Sequence, residues 1–209
     1  MAQQDMMAWV RKCVTPQRSK RWVSLLTVAI LFGCVAASPP LSVVVESPVV
    51  ADRLWVRVKP IVTRPFSDDR KRFGMDLSAY YTPIEIQVNN PTRQTVRFDA
   101  ARAQLTDQRG KSYAPLNEKE SLQRYRAGGW RSGWTFGLKS SAREERETQM
   151  IVESRMLDAE LQPGEVVGGL LYFRKVHPQY CGEMVLTLPF AVADTEEAKI
   201  MTFRLSCAP

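Results

Sequence analysis

The chain has 209 residues, 44% of them hydrophobic and 24% charged, with a formal charge of +7, which suits one compact domain with a leader or tail and leaves little room for two. Residues 1–33 hold five of the basic side chains (Arg11, Lys12, Arg18, Lys20, Arg21) against a single acid, Asp5, so the rest of the chain carries 24 basic and 21 acidic residues, a net of only +3. That balance argues against a nucleic-acid partner, which needs clustered cations to release counterions, and the single histidine, His177, excludes a multi-histidine zinc or iron centre.

Val23–Gly33 is an uncharged run directly behind Arg18-Ser19-Lys20-Arg21. An apolar stretch of about 10 residues after positive charge predicts a secretory signal helix over residues 1–33. It is shorter than the roughly 20 residues that span a bilayer. The run closes in Leu31-Phe32-Gly33-Cys34, which resembles the lipobox of bacterial lipoproteins. That resemblance implies cleavage before Cys34, acylation of its thiol and, with Val35 following, an outer-membrane address facing the periplasm. Leu31 and Gly33 match the lipobox; bulky Phe32 departs from it. Two other outcomes stay open: simple cleavage after Ala37, and an uncleaved anchor. The first residue is equally open among Met1, Met6 and Met7. Acyl chains contribute about 0.8 kcal/mol per buried methylene, so two or three of them hold a protein at a membrane without a spanning helix.

Residues 34–53 read as a tether, with Pro39-Pro40 barring a helix, running into a valine-rich strand region over Leu41–Val50. The body, residues 54–209, then reads as strands. Leu54–Lys59 alternates apolar and polar at its final positions, and Ile84-Glu85-Ile86-Gln87-Val88 does so more cleanly, closed by Asn89-Asn90-Pro91-Thr92 as a turn. Val96–Phe98 and Ala103–Thr106 follow, then the turn Asp107–Gly110 and a short return over Lys111–Leu116. An insertion over about 117–160 differs in character. Asn117 caps a helix predicted to end near Arg126. Ala127–Leu138 holds four of the 11 glycines and two of the five tryptophans. Ser140–Leu157, free of glycine and proline, predicts a second helix. Strand signals resume with Val166–Phe173, apolar throughout and so expected to be covered on both faces. They end in a hairpin of Met184–Val192 and Lys199–Cys207 around Asp194–Glu197, which sets Cys207 opposite roughly Met184. Seven or eight short strands with turns between them predict a mainly β fold: an antiparallel β-sandwich with a helical and Gly-Trp insertion, behind a signal-peptide helix.

Three segments together, Ile84–Thr92, Leu105–Leu116 and Leu161–Phe173, are similar to a group of bacterial envelope lipoproteins with immunoglobulin-like domains of unknown function. The shared features are a strand ending in Asn, an Asp/Gly hairpin leading to Tyr-x-Pro-Leu, and Pro-Gly-Glu followed by Gly and Phe. The resemblance covers about Leu54 to Phe173. It implies an immunoglobulin-like sandwich in the envelope and supplies no catalytic residues.

Cys181 and Cys207 are the only cysteines after Cys34, and in an oxidising periplasm they are expected to form a structural disulfide, which contributes about 2–4 kcal/mol. The competing use is a copper or redox site made from His177, Cys181, Met184 and Met201, whose soft sulfurs suit Cu(I). Trp130, Arg131, Trp134 and Phe136 form the candidate binding surface, because tryptophan and arginine favour binding hot spots and membrane interfaces. The same aromatics can instead dock onto the sandwich. Arg124 and Arg126 beside them offer charge to anionic lipid or polysaccharide, and Trp130 with Trp134 could stack on a glycan. Asp68-Asp69 with Asp158 and Glu160 would make an acid pair for glycan cleavage only if they converged across a cleft. No nucleophile elbow, phosphate loop, dinucleotide fingerprint or Cys-x-x-Cys is present. The expectation is a non-enzymatic interaction or assembly module, without metal or cofactor, held to the membrane by a lipid and facing another envelope protein, with no nucleic-acid partner.

Overall fold

The computed structural model describes residues 41–43, 54–62, 66–131, 141–195 and 198–207, with only the backbone described for 41–43, 129–131 and Cys207. All belong to one compact unit, Ala37–Pro209. The leader with Cys34, the rest of the tether, and Trp134 and Phe136 lie outside the described residues.

In chain order the elements are β1 (Leu41–Val43), β2 (Trp55–Pro60), α1 (Asp68–Phe73), β3 (Tyr81–Asn89), β4 (Val96–Phe98), β5 (Gln104–Thr106), β6 (Ser112–Tyr113), α2 (Glu118–Arg131), α3 (Ser141–Glu153), β7 (Ala159–Leu161), β8 (Val166–Arg174), β9 (Met184–Val192) and β10 (Ala198–Cys207), with short 3-10 turns between some of them. The fold is mainly β. One sheet has seven strands on the path β1-β10-β9-β4-β7, with β5 also on β9 and β6 on β5; the other has three, in the order β2-β3-β8. Every strand pair is antiparallel.

Strict alternation explains how the sheets meet. Strand β9 buries every second residue, sending Met184, Leu186, Leu188 and Phe190 inward with Met201, Phe203 and Leu205 of β10. They meet Val56, Val58, Ile84, Ile86, Val88, Leu171 and Phe173 from the three-stranded sheet in one apolar cluster, the arrangement that period-2 side chains dictate. Phe98 and Phe190, direct partners in register, bring their ring centres to 5.1 Å.

The three-stranded sheet has a second buried face. The alternate residues Tyr81, Leu170 and Tyr172 point away from the sandwich and join Ile61, Phe73, Leu116, Tyr125 and Ile151 in a separate cluster, to which the three helices contribute Phe73, Tyr125 and Ile151. The expectation that Val166–Phe173 is covered on both faces therefore holds for Leu170–Phe173 alone. Val166 is half exposed, because the helical layer stops short of that end of the strand.

The helix starts follow their caps. Asn117 accepts from Glu120 N at 2.9 Å, while the Glu120 carboxylate accepts from Asn117 N at 3.0 Å, a reciprocal capping box that satisfies two orphan donors. Ser67 likewise accepts from Arg70 N to open α1, an element the sequence reading missed. The end of α2 departs from expectation. The helix runs through Gly128 and Gly129 to Arg131 instead of breaking near Arg126. Gly128 is there because of a close approach: a Cβ at that position would lie 2.6 Å from the Tyr80 ring. Its glycine serves helix packing, so local composition alone misread a contact as a bend.

The motifs behind the family resemblance clasp one another. Asn90 is fully buried; its side chain donates to Gln94 O and Leu161 O and accepts from Thr92. Its backbone N–H donates to Glu165 O and its carbonyl accepts from Gly164 N. The turn after β3 is thereby locked to the Pro163-Gly164-Glu165 turn before β8, where Gly164 takes φ +83°, a value that only glycine adopts without strain.

Candidate interaction surface

Helices α2 and α3 stand on the outer face of the three-stranded sheet through a network of buried tyrosines. The Tyr125 hydroxyl donates to the Glu147 carboxylate, which also accepts from Arg143 Nε at 2.9 Å. Tyr81 donates to Ser121 O at 2.7 Å, and the Tyr172 and Ser154 hydroxyls bond at 2.8 Å. The Tyr81 and Tyr172 rings lie 4.8 Å apart. Burial pushes the Tyr172 hydroxyl up to about 12, against the opposing pull of its bond to Ser154 and of the nearby Arg155. Burial likewise raises Tyr81 strongly. Both phenols stay neutral and act as hydrogen-bonding pillars, so the helices are fixed to the sheet at named points.

Trp130 and Arg131 occupy the last turn of α2, placing the described part of the candidate binding surface at the far end of this layer. Arg124 does not simply face solvent: its Nε donates to Tyr80 O at 3.1 Å.

A cleft of about 490 Å³ opens where the helices leave the sheet uncovered, and its wall includes Arg57, Gln87, Gly168 and Glu153. Register puts Arg57 beside Gln87 and Gln87 beside Gly168 on one face, with Trp55, Asn89 and Val166 in the next row. Two cations at the cleft are committed to acids at 2.7 Å, Lys59 to Asp69 and Arg72 to Glu85. Sequence reasoning missed this feature. The polar alternates of β2 and β3 were visible, but only the cross-strand register shows that they line up with a glycine.

The other nominated groups have structural duties. His177 is exposed and caps a 3-10 turn, its Nδ1 accepting from Gln179 N at 3.3 Å. Met184 and Met201 are buried in the sandwich core, away from the solvent that His177 meets. Asp68 pairs with Lys71, Asp69 with Lys59, and Asp158 accepts from Ala101 N at 3.2 Å. Asp68 and Asp69 open α1 while Glu160 lies in β7, so these four acids form no pair.

At one end of the sandwich the Asp107 carboxylate gathers donors from Arg109 N, Lys111 N, the Tyr113 hydroxyl and the Arg109 guanidinium. That guanidinium lies 3.3 Å from the centre of the Tyr180 ring. Burial raises the carboxyl, but the donors from Lys111, Tyr113 and Arg109 outweigh it and hold Asp107 below the ordinary range. A folded-state value below the unfolded one means that the contribution is present above the unfolded value, near 4, and is lost as pH falls through the folded one. Asp107→Asn is therefore expected to lower stability at pH 7, with the gap to wild type closing as pH falls below about 4 in urea titrations. A gap independent of pH would contradict this assignment.

Cys181 is buried next to this end, its Sγ 3.0 Å from Pro178 O. The register of β9 and β10 corrects the expected placement of Cys207. Leu205, not Cys207, faces Met184, and Cys207 lies two residues further along β10.

No family model and no curated protein matches the chain. Among solved structures, a Bordetella pertussis protein provisionally described as ApaA aligns over 83% of this chain and 98% of its own, at 10% identity and a TM-score of 0.34, too distant a likeness to bear on function.

Proposed function

We propose that the chain is a lipid-anchored, non-enzymatic module of the bacterial envelope, held at the outer membrane by acylated Cys34 and facing the periplasm. Its immunoglobulin-like sandwich would present the helical layer to another envelope protein. The observation that carries this reading is that the layer is pinned by buried side chains, Tyr81 to Ser121 O, Tyr125 to Glu147 and Tyr172 to Ser154, so α2, whose last turn holds Trp130 and Arg131, is fixed to the sheet at Ser121 and to α3 at Tyr125. Preorganisation of this kind lowers the ordering cost of association. The acids and His177 spent on caps and ion pairs favour binding over catalysis.

The proposed Cys181–Cys207 bridge is supported by the burial of Cys181 and by the β9–β10 pairing, in which β10 runs two residues past the Leu205–Met184 pair to Cys207 while Cys181 lies three residues before Met184. The test of the whole reading is fractionation and crosslinking of the full chain in a bacterial host. Wild type is expected in the membrane fraction and Cys34→Ser in the soluble periplasmic one. A photocrosslinker at Arg131 is expected to give one discrete protein adduct, and one at Ile200, exposed on β10, none. A cytosolic wild type, or equal labelling from both positions, would overturn it.

A further inference from the structure

We infer that the cleft on the outer face of the three-stranded sheet is a binding site for a short neutral saccharide. Its volume of about 490 Å³ falls within the range of small-molecule sites, and its chemistry is mixed in a way that fits a polyhydroxyl ligand. Among the described residues the Arg57 guanidinium and the Gln87 amide make no hydrogen bond or ion pair, and they stand side by side in register. Glu153 accepts from Gln149 through one oxygen, at 2.7 Å, which leaves the other for a hydroxyl donor. Donors and acceptors thus face the same space, as a sugar, carrying both on each hydroxyl, requires.

Charge argues against a simple anion. The cations Arg57, Lys59 and Arg72 are matched by Glu85, Glu153 and, on Lys59, Asp69, so an anionic ligand would gain little net attraction while meeting Glu153. Shape argues for a flat ring. Gly168 continues the Arg57–Gln87 row without a side chain, leaving a bare backbone floor. Trp55, in the adjoining row on the same face, is 44% exposed, and an indole offers the apolar faces of a pyranose a stacking platform beside polar groups. This site lies on β2, β3 and β8, away from the tryptophans that composition singled out, and the inference does not depend on the lipid anchor.

The test titrates the full chain with cellobiose, maltose and N,N′-diacetylchitobiose, and in parallel with inorganic phosphate, reading heat and indole fluorescence. At least one disaccharide is expected to saturate. Its affinity should fall about tenfold or more in Arg57→Ala and in Gln87→Ala, since each removes a hydrogen-bonding partner of the ligand. The fluorescence change should disappear in Trp55→Leu and persist in Trp130→Leu. Arg57 and Trp55 both lie at solvent-facing positions of β2, so unchanged melting curves would certify the variants as folded. Three results would overturn the inference: no disaccharide binds, phosphate binds in their place, or binding survives both Arg57→Ala and Gln87→Ala.

Discussion

Gly169→Ala is expected to lower the thermal midpoint by about 6–12 °C, whereas Gly168→Ala, one residue away in β8, should move it by only a few degrees. A Cβ on Gly169 would lie 2.7 Å from both N and Cα of Met156. Those are backbone atoms, and they are tied down: Met156 N donates to Leu170 O at 2.9 Å and Leu170 N donates to Ser154 O at 2.7 Å. The methyl must therefore push a whole segment away from the strand edge, and overpacking of that kind costs about 3 kcal/mol. For a domain of this size each kcal/mol is worth about 2–4 °C. At Gly168 the nearest atom is Ile86 O at 3.3 Å, tight but tolerable, and alanine recovers some of glycine's entropic cost in a strand. Equal shifts from the two variants would mean that the segment after α3 does not seal the edge of β8.

Phe173→Ala is expected to cost about 3–5 kcal/mol in denaturant unfolding, while Tyr172→Phe at the next position costs about 1 kcal/mol. The side chains of successive strand residues project to opposite faces. Phe173 fills the sandwich core and Tyr172 the helical one. Truncating Phe173 empties a fully buried site between two sheets. Removing only the Tyr172 hydroxyl keeps the ring and forfeits one bond to Ser154. A small effect of Phe173→Ala would contradict the existence of a tightly packed interior between the sheets.

The strands were legible because their burial is periodic. Ile84, Ile86 and Val88 alternate with Glu85 and Gln87 in the sequence, and the alternation is carried into burial without a slip. The turn Asn89–Thr92 was legible as a turn. That it clasps the Pro163–Glu165 segment through the buried Asn90 was not, since nothing local records a contact between residues 71 apart. Strand β7 and helix α1 were missed because three and six residues give too little periodicity to register. The end of α2 was misread because Gly128-Gly129 signals a break on propensity alone, while contact with Tyr80 demands a small residue within the helix. The cleft was illegible for a deeper reason. Its residues come from five separate elements, β2, α1, β3, α3 and β8, and only the register and the position where the helical layer ends bring them together.

The most direct measurement is the intact mass of the amino-terminal peptide of the mature protein, taken from the membrane fraction of the producing cell. The account predicts a peptide beginning at Cys34 and heavier than its sequence by two or three acyl chains. A peptide that still carries residues 1–33, or one beginning at Ser38 without fatty acid, would contradict it.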